Sequence, residues 1–120
     1  MQTDNKKILV ADDDDDVRKI LSIFLTFAGY NVDCVNDGEE AMRSLEKNSY
    51  SLLITDYMMP KLNGIELIKR VKGLNLSLPI IGISGSDNEK EFLAVGARLF
   101  MTKPITLSIL GNALERELSI

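Results

Sequence analysis

Four short apolar runs in this 120-residue chain each end in a side chain that can do chemistry. Asp12 and Asp13 follow Ile8-Leu9-Val10-Ala11, and Asp56 follows Leu52-Leu53-Ile54-Thr55. Ser84 closes Ile80–Ser84, and Lys103, before Pro104, follows Leu99–Thr102. Runs of this length and composition read as buried strands. In an open α/β sheet, ligands and chemistry sit just beyond the carboxyl ends of the strands. If the first strand neighbours the central one, Asp12 and Asp13 face Asp56 across a few ångströms. Like charges ~4 Å apart repel by about 4 kcal/mol at an effective dielectric near 20, so such a cluster calls for a cation. An all-oxygen donor set selects a hard ion, and a sparse one suits Mg²⁺. A solvated acidic rim with no ion is the alternative. A hydroxyl at Ser84 and an ammonium at Lys103 narrow the choice. Acids, hydroxyl and ammonium on one rim describe phosphoryl transfer onto a carboxylate, with Asp56 as nucleophile. Mg²⁺ and Lys103 would neutralise the developing charge, and Ser84 would take one phosphoryl oxygen.

The elements that must hold these groups alternate strand and helix five times, with no linker or repeat. After the acidic run, Val17, Ile20, Leu21, Phe24 and Ala28 form a helical stripe that Gly29 stops. Asp14, Asp15 and Asp16 fall at the start of that helix, where the macrodipole favours negative charge. Asn31–Val35 is a half-exposed strand, followed by turn chemistry at Asn36-Asp37-Gly38. Residues 39–48 form a helix with Ala41, Met42 and Leu45 inward. Asn63-Gly64 opens a third helix marked by Ile65, Leu67, Ile68 and Val71. Asp87 or Asn88 caps a weak fourth helix ending at Gly96. Residues 105–118 are the last helix. The alternation implies βαβ units, a parallel sheet and a three-layer α/β sandwich.

Composition removes several function classes. Residues 1–120 read as one domain, large enough to bury a core without disulfides or metals. Fourteen basic residues against 18 acidic ones, net −4, argue against a nucleic-acid surface. The chain has no histidine, so it holds no Ser-His-Asp triad and is not itself a phosphohistidine donor. With a single cysteine, zinc is disfavoured too. Cys34 points to a reducing compartment and reads as a packed strand thiol. The polar start, Met1–Lys7, is no signal peptide or membrane span, which places the protein in the cytoplasm.

These motifs together resemble the receiver domain of bacterial two-component response regulators, including the stand-alone chemotaxis type. Ile8-Leu9-Val10-Ala11-Asp12-Asp13 is similar to the family's acidic pair. Thr55-Asp56-Tyr57-Met58-Met59-Pro60-Lys61-Leu62-Asn63-Gly64 is similar to its phosphoacceptor loop. Ser84 matches the switch hydroxyl, and Lys103-Pro104 the family's Lys-Pro, usually with a cis peptide. The resemblance implies a flavodoxin-like strand order 2-1-3-4-5 with five helices, an arrangement standard for this family. It implies Mg²⁺ held by Asp12, Asp13 and Asp56 with the Met58 backbone carbonyl, and a switch formed by Ser84 and Phe100. Ser84 stands where Thr is commoner, Gly85 where Ala is common, and Phe100 where Tyr is frequent. Phe100 is therefore expected to populate its inward position before phosphorylation.

The function that follows is a phosphoacceptor switch that catalyses only its own phosphorylation and dephosphorylation. A histidine kinase or histidine phosphotransfer protein would supply the phosphoryl group. With no output domain expected after Ile120, the signal would leave through the fourth helix, fifth strand and fifth helix, to a protein rather than to nucleic acid or membrane. A small Mg²⁺-dependent phosphatase of haloacid-dehalogenase type is the alternative, since Asp13-x-Asp15-x-Val17 fits its first motif. A flavin module would need a phosphate-binding loop after the first strand, where five aspartates stand instead.

Overall fold

A computed structural model describes residues 6–118; the first five residues and the last two lie outside this account. Strands β1 (Lys7–Ala11), β2 (Asn31–Val35), β3 (Leu52–Asp56), β4 (Ile80–Ser84) and β5 (Leu99–Thr102) form one parallel sheet in the order β2-β1-β3-β4-β5. Helices α1 (Asp15–Phe27), α2 (Gly38–Lys47), α3 (Gly64–Gly73), α4 (Glu89–Ala94) and α5 (Leu107–Leu118) connect or follow them. The expected flavodoxin-like order is thus present. Among the described residues no helix is long and apolar enough to cross a membrane.

The two faces of the sheet divide by the period-two alternation of a strand. Ile8, Val10, Leu52, Ile54, Ile81 and Ile83 pack with Leu21 and Leu25 of α1 and with Leu110, Leu114 and Leu118 of α5. Leu9, Ala11, Leu53 and Ile80 face Ala41 and Leu45 of α2, Leu67, Ile68 and Val71 of α3, and Phe92 of α4. The central strands β3 and β4 are buried throughout, as continuous apolar runs require.

Helix α1 departs from the stripe read in the sequence. Leu21 and Leu25 are the buried positions, Val17 and Phe24 are half-buried, and Ile20 is 53% exposed. Ile23 and Phe27 are exposed as well, so α1 carries apolar residues on more than one face and the periodicity does not choose the phase. Asp14 caps α1, Asp37 caps α2, and Asn63 forms a capping box with Glu66 on α3. Helix α5 begins two residues later than expected. Cys34 is exposed on β2 rather than packed, because on this edge strand the exposed and half-buried positions do not alternate strictly. Desolvation, with a smaller contribution from Asp33, pushes its thiol up, against the opposing effects of Arg18 and Ser22.

Candidate functional site

Strand register assembles the rim. Ala11 pairs with Thr55, Asp56 with Ile83, and Ser84 with Thr102, so the residues that follow emerge side by side. Alternation sends Asp12 and Asp56 to the side of Val10 and Ile54, under α1 and α5. Ser84 follows Ile80 and Gly82 to the opposite side, under α4. The Lys103 amide donates to the Ser84 carbonyl at 2.8 Å, and the Lys103-Pro104 peptide is cis. The loop after β3 returns tightly, with the Gly64 amide donating to the Tyr57 carbonyl at 2.9 Å. A Cβ on Gly64 would collide with the Asp56 carbonyl, so only glycine lets α3 start this close to the strand end.

Lys103 reaches both buried acids, with Nζ 2.9 Å from Asp12 Oδ2 and 3.1 Å from Asp56 Oδ1. Asp12 Oδ1 accepts from the Asp14 amide at 2.9 Å. Asp12 Oδ2 is wholly buried and, although ion-paired with Lys103, has no hydrogen-bond partner among the described residues. Asp12, Asp13 and Asp56 each offer a carboxylate oxygen, and these atoms lie within 4.8 Å of one another. Asp12 and Asp56 are buried while Asp13 is exposed, which leaves one side of the cluster open to solvent. An all-oxygen donor set, a buried oxygen short of hydrogen bonds and one open side fit a hard divalent cation.

The electrostatics agree. Burial, then the Asp12 charge, pushes the Asp56 carboxyl above its ordinary range, while Lys103 and the backbone amide of Tyr57 act against the rise. Burial draws the Lys103 ammonium down, but its close pairing with the Asp12 and then the Asp56 carboxylate outweighs that and holds it above its usual range. Two carboxylates facing one ammonium leave negative charge over, and a cation between them would relieve it.

On the α4 side, Ser84 Oγ donates to Asn88 Oδ1 at 2.6 Å and accepts from the Ser86 amide at 3.0 Å. Asn88 Nδ2 donates to Glu91 Oε1 at 3.2 Å, and the Tyr57 hydroxyl donates to Glu91 Oε2 at 3.2 Å. Beneath this chain Phe92 covers Gly82, where a Cβ would collide with its ring. The Phe92 ring centroid is 6.0 Å from Tyr57 and 5.7 Å from Phe100, which is half-buried.

The sequence-derived residues therefore converge on one rim. Asp12 and Asp56 meet Lys103 directly and group with Asp13, Ser84 lies beside them facing α4, and Met58 stands in the loop, 68% exposed. Sequence reasoning missed Arg18, whose Nη1 donates to the Asp12 carbonyl at 2.9 Å while its other nitrogen pairs with Asp15. The i, i+3 spacing of Asp15 and Arg18 was the available signal. It also missed Tyr57 and Glu91, which meet only through the fold.

A sequence model described as the response regulator receiver domain matches residues 8–115. The chain is 39% identical over 105 residues to the alkaline phosphatase synthesis transcriptional regulatory protein PhoP of Bacillus subtilis, covering 85% of this chain and 44% of PhoP. It is 39% identical over 112 residues to the sensor protein EvgS of Escherichia coli K12, covering 91% of this chain and 9% of EvgS. The chain thus spans less than half the length of either relative. Its fold superposes on the chemotaxis protein CheY4 of Vibrio cholerae with a TM-score of 0.87 at 31% identity, covering 94% of this chain and 98% of that one.

Proposed function

The chain belongs to the response regulator receiver domain family, a family of phosphoacceptor switches in two-component signalling, and we propose that Asp56 is its phosphoacceptor. The observation that carries this reading is the placement of Asp56. It is a buried carboxylate at the end of the central strand, 3.1 Å from Lys103 and grouped with Asp12 and Asp13.

In the transfer, an Asp56 carboxylate oxygen attacks phosphorus, forming a P–O bond as the P–N bond to a donor imidazole breaks. The electron pair of that bond stays on the imidazole nitrogen. Asp56 must be ionised to attack, and the Lys103 charge works against the upward push of burial and Asp12 on its carboxyl. Lys103 then lies within reach of the transferred phosphoryl oxygens, and the Ser84 hydroxyl can donate to another. Asp12, Asp13 and Asp56, with the Met58 backbone carbonyl, would hold Mg²⁺, which when bound neutralises charge on the phosphoryl oxygens.

The donor is a histidine kinase or histidine phosphotransfer protein, because this chain supplies no histidine and its relatives include a sensor protein. The chain turns over no separate substrate. The signal leaves toward a protein target through α4, β5 and α5, in the cytoplasm, with Phe100 and Ser84 reporting the state of Asp56. Nothing favours the haloacid-dehalogenase alternative: Asp15, the second acid of that motif, is paired with Arg18 at the solvent-exposed start of α1.

Incubation with acetyl phosphate and Mg²⁺ tests the reading. Wild type should take up one phosphoryl group and Asp56→Asn none; equal labelling of the variant would remove Asp56 from the role.

A further inference from the structure

Asn88 occupies the N-cap position of α4, yet its side chain caps nothing. This sets it apart from Asp14, Asp37 and Asn63, whose side chains accept amide hydrogen bonds at the starts of α1, α2 and α3. Those three residues have extended backbones, with ψ of 118°, 168° and 174°, whereas Asn88 has ψ of 19°. Its amide is engaged elsewhere. Oδ1 accepts from Ser84 at 2.6 Å, and Nδ2 donates to the Glu91 carboxylate at 3.2 Å. A carboxylate only accepts, so the Glu91 contact fixes which end of the amide faces Ser84.

The consequence follows from counting protons. A serine hydroxyl carries one donor hydrogen. While Ser84 donates to Asn88 it cannot donate to a phosphoryl oxygen on Asp56. The Ser86 amide uses a lone pair of Ser84 and is compatible with either arrangement. Once the hydroxyl turns away, Asn88 Oδ1 loses its partner, and the first-turn amides of α4, which the N-cap side chain leaves uncapped, are the donors an N-cap oxygen takes.

We propose that Asn88 is the positioning residue for Ser84, and that its side-chain oxygen exchanges between the Ser84 hydroxyl and the N-terminus of α4. In the resting protein Asn88 holds the hydroxyl and α4 starts without a cap. With Ser84 recruited by a phosphoryl group, Asn88 rotates to an extended backbone and accepts from the Glu91 amide, as Asn63 does from Glu66 on α3. Helix α4 has only six residues, so one cap is a large fraction of what orders it. The exchange carries a change at Asp56 to the start of α4 without any contact between the two. The phosphoryl-driven half of this proposal rests on Ser84 being the switch hydroxyl; the competition for Asn88 does not.

Amide hydrogen exchange by NMR tests that competition with no phosphodonor present. Ser84→Ala should free Asn88 to cap α4 and raise protection of the Glu91 amide about fivefold, the ratio a typical side-chain cap corresponds to. The double variant Ser84→Ala/Asn88→Ala should lose that gain. Unchanged protection in Ser84→Ala, or a gain that survives in the double variant, overturns the proposal. In a second arm, beryllofluoride with Mg²⁺ as phosphoryl mimic should raise Glu91 protection in wild type and not in Asn88→Ala. An equal rise in both overturns the exchange. Failure of the mimic to bind at Asp56 would count against the phosphoacceptor reading instead, and the first arm would still decide the role of Asn88.

Discussion

The Lys103 ammonium sits 3.1 Å from Asp56 Oδ1, so the acid that would carry the phosphoryl group rests against the cation the transferred group would need. The same ammonium lies 2.9 Å from Asp12, and its removal would leave two buried carboxylates facing each other. Lys103→Met should therefore slow labelling by about 10²-fold, the usual effect of losing one preorganised charge at a developing anion. It should also cost about 3 kcal/mol of stability at neutral pH, as removing one partner of a buried ion pair does. Labelling kinetics and urea denaturation check the two effects separately.

Asp56 itself costs the fold stability when it is ionised. Its carboxyl is pushed above the ordinary 3.8, first by burial and then by Asp12, so the folded chain holds the proton more tightly than the unfolded one. Stability from this group is complete below the unfolded value and falls as pH rises through the folded value. Without Mg²⁺, Asp56→Asn should melt higher than wild type at pH 7, and the difference should disappear on acidification toward pH 3 (about the bottom of the carboxylate range). Calorimetric melting across that range measures it.

Mg²⁺ affinity should separate neighbouring aspartates. Asp13→Asn and Asp56→Asn should bind the ion more weakly, and Asp12→Asn should do so too, despite the relief of repulsion. Asp14→Asn should bind as wild type does, because Asp14 caps α1 and Asn caps equally well. Isothermal titration with MgCl₂ distinguishes them. Equal affinity in Asp13→Asn would place the ion elsewhere.

At the opposite end of β3, Tyr50 donates to Asp33 at 2.7 Å, and Lys7 pairs with Asp33 at 3.2 Å and lies over the Tyr50 ring. Desolvation and the Asp33 hydrogen bond push the Tyr50 phenol up to about 12. The unfolded phenol ionises near its ordinary 10.0. Stability from this group is therefore intact below that value and lost as pH climbs toward the folded one. Absorbance titration of tyrosinate should show Tyr30 and Tyr57 ionising above the ordinary value and Tyr50 last of the three, and Asp33→Asn should bring Tyr50 down.

Much of this site was legible because buried parallel strands are apolar runs, and the first polar residue after each run is where the rim begins. That is why Asp12, Asp56, Ser84 and Lys103 could be placed together before any geometry was known. Parallel register does the rest, pairing Ala11 with Thr55 and Ser84 with Thr102. Helix α1 was less legible, because Ile20, Ile23 and Phe27 supply apolar residues that the core does not use. Residue type makes either Asp87 or Asn88 a cap for α4, yet the Asn88 side chain turns to a hydroxyl four residues back that only the β4–α4 turn brings near. The Tyr57–Glu91 contact joins residues 34 apart in sequence and leaves no local signature.

The central claim is that the phosphoryl group resides on Asp56. An acyl phosphate on aspartate is reduced by borohydride to homoserine, which marks its position permanently. After incubation with acetyl phosphate and Mg²⁺, borohydride treatment and peptide mass spectrometry should find homoserine at position 56 and at no other acid. Homoserine at position 12 or 13, or its absence throughout a labelled sample, would contradict the account.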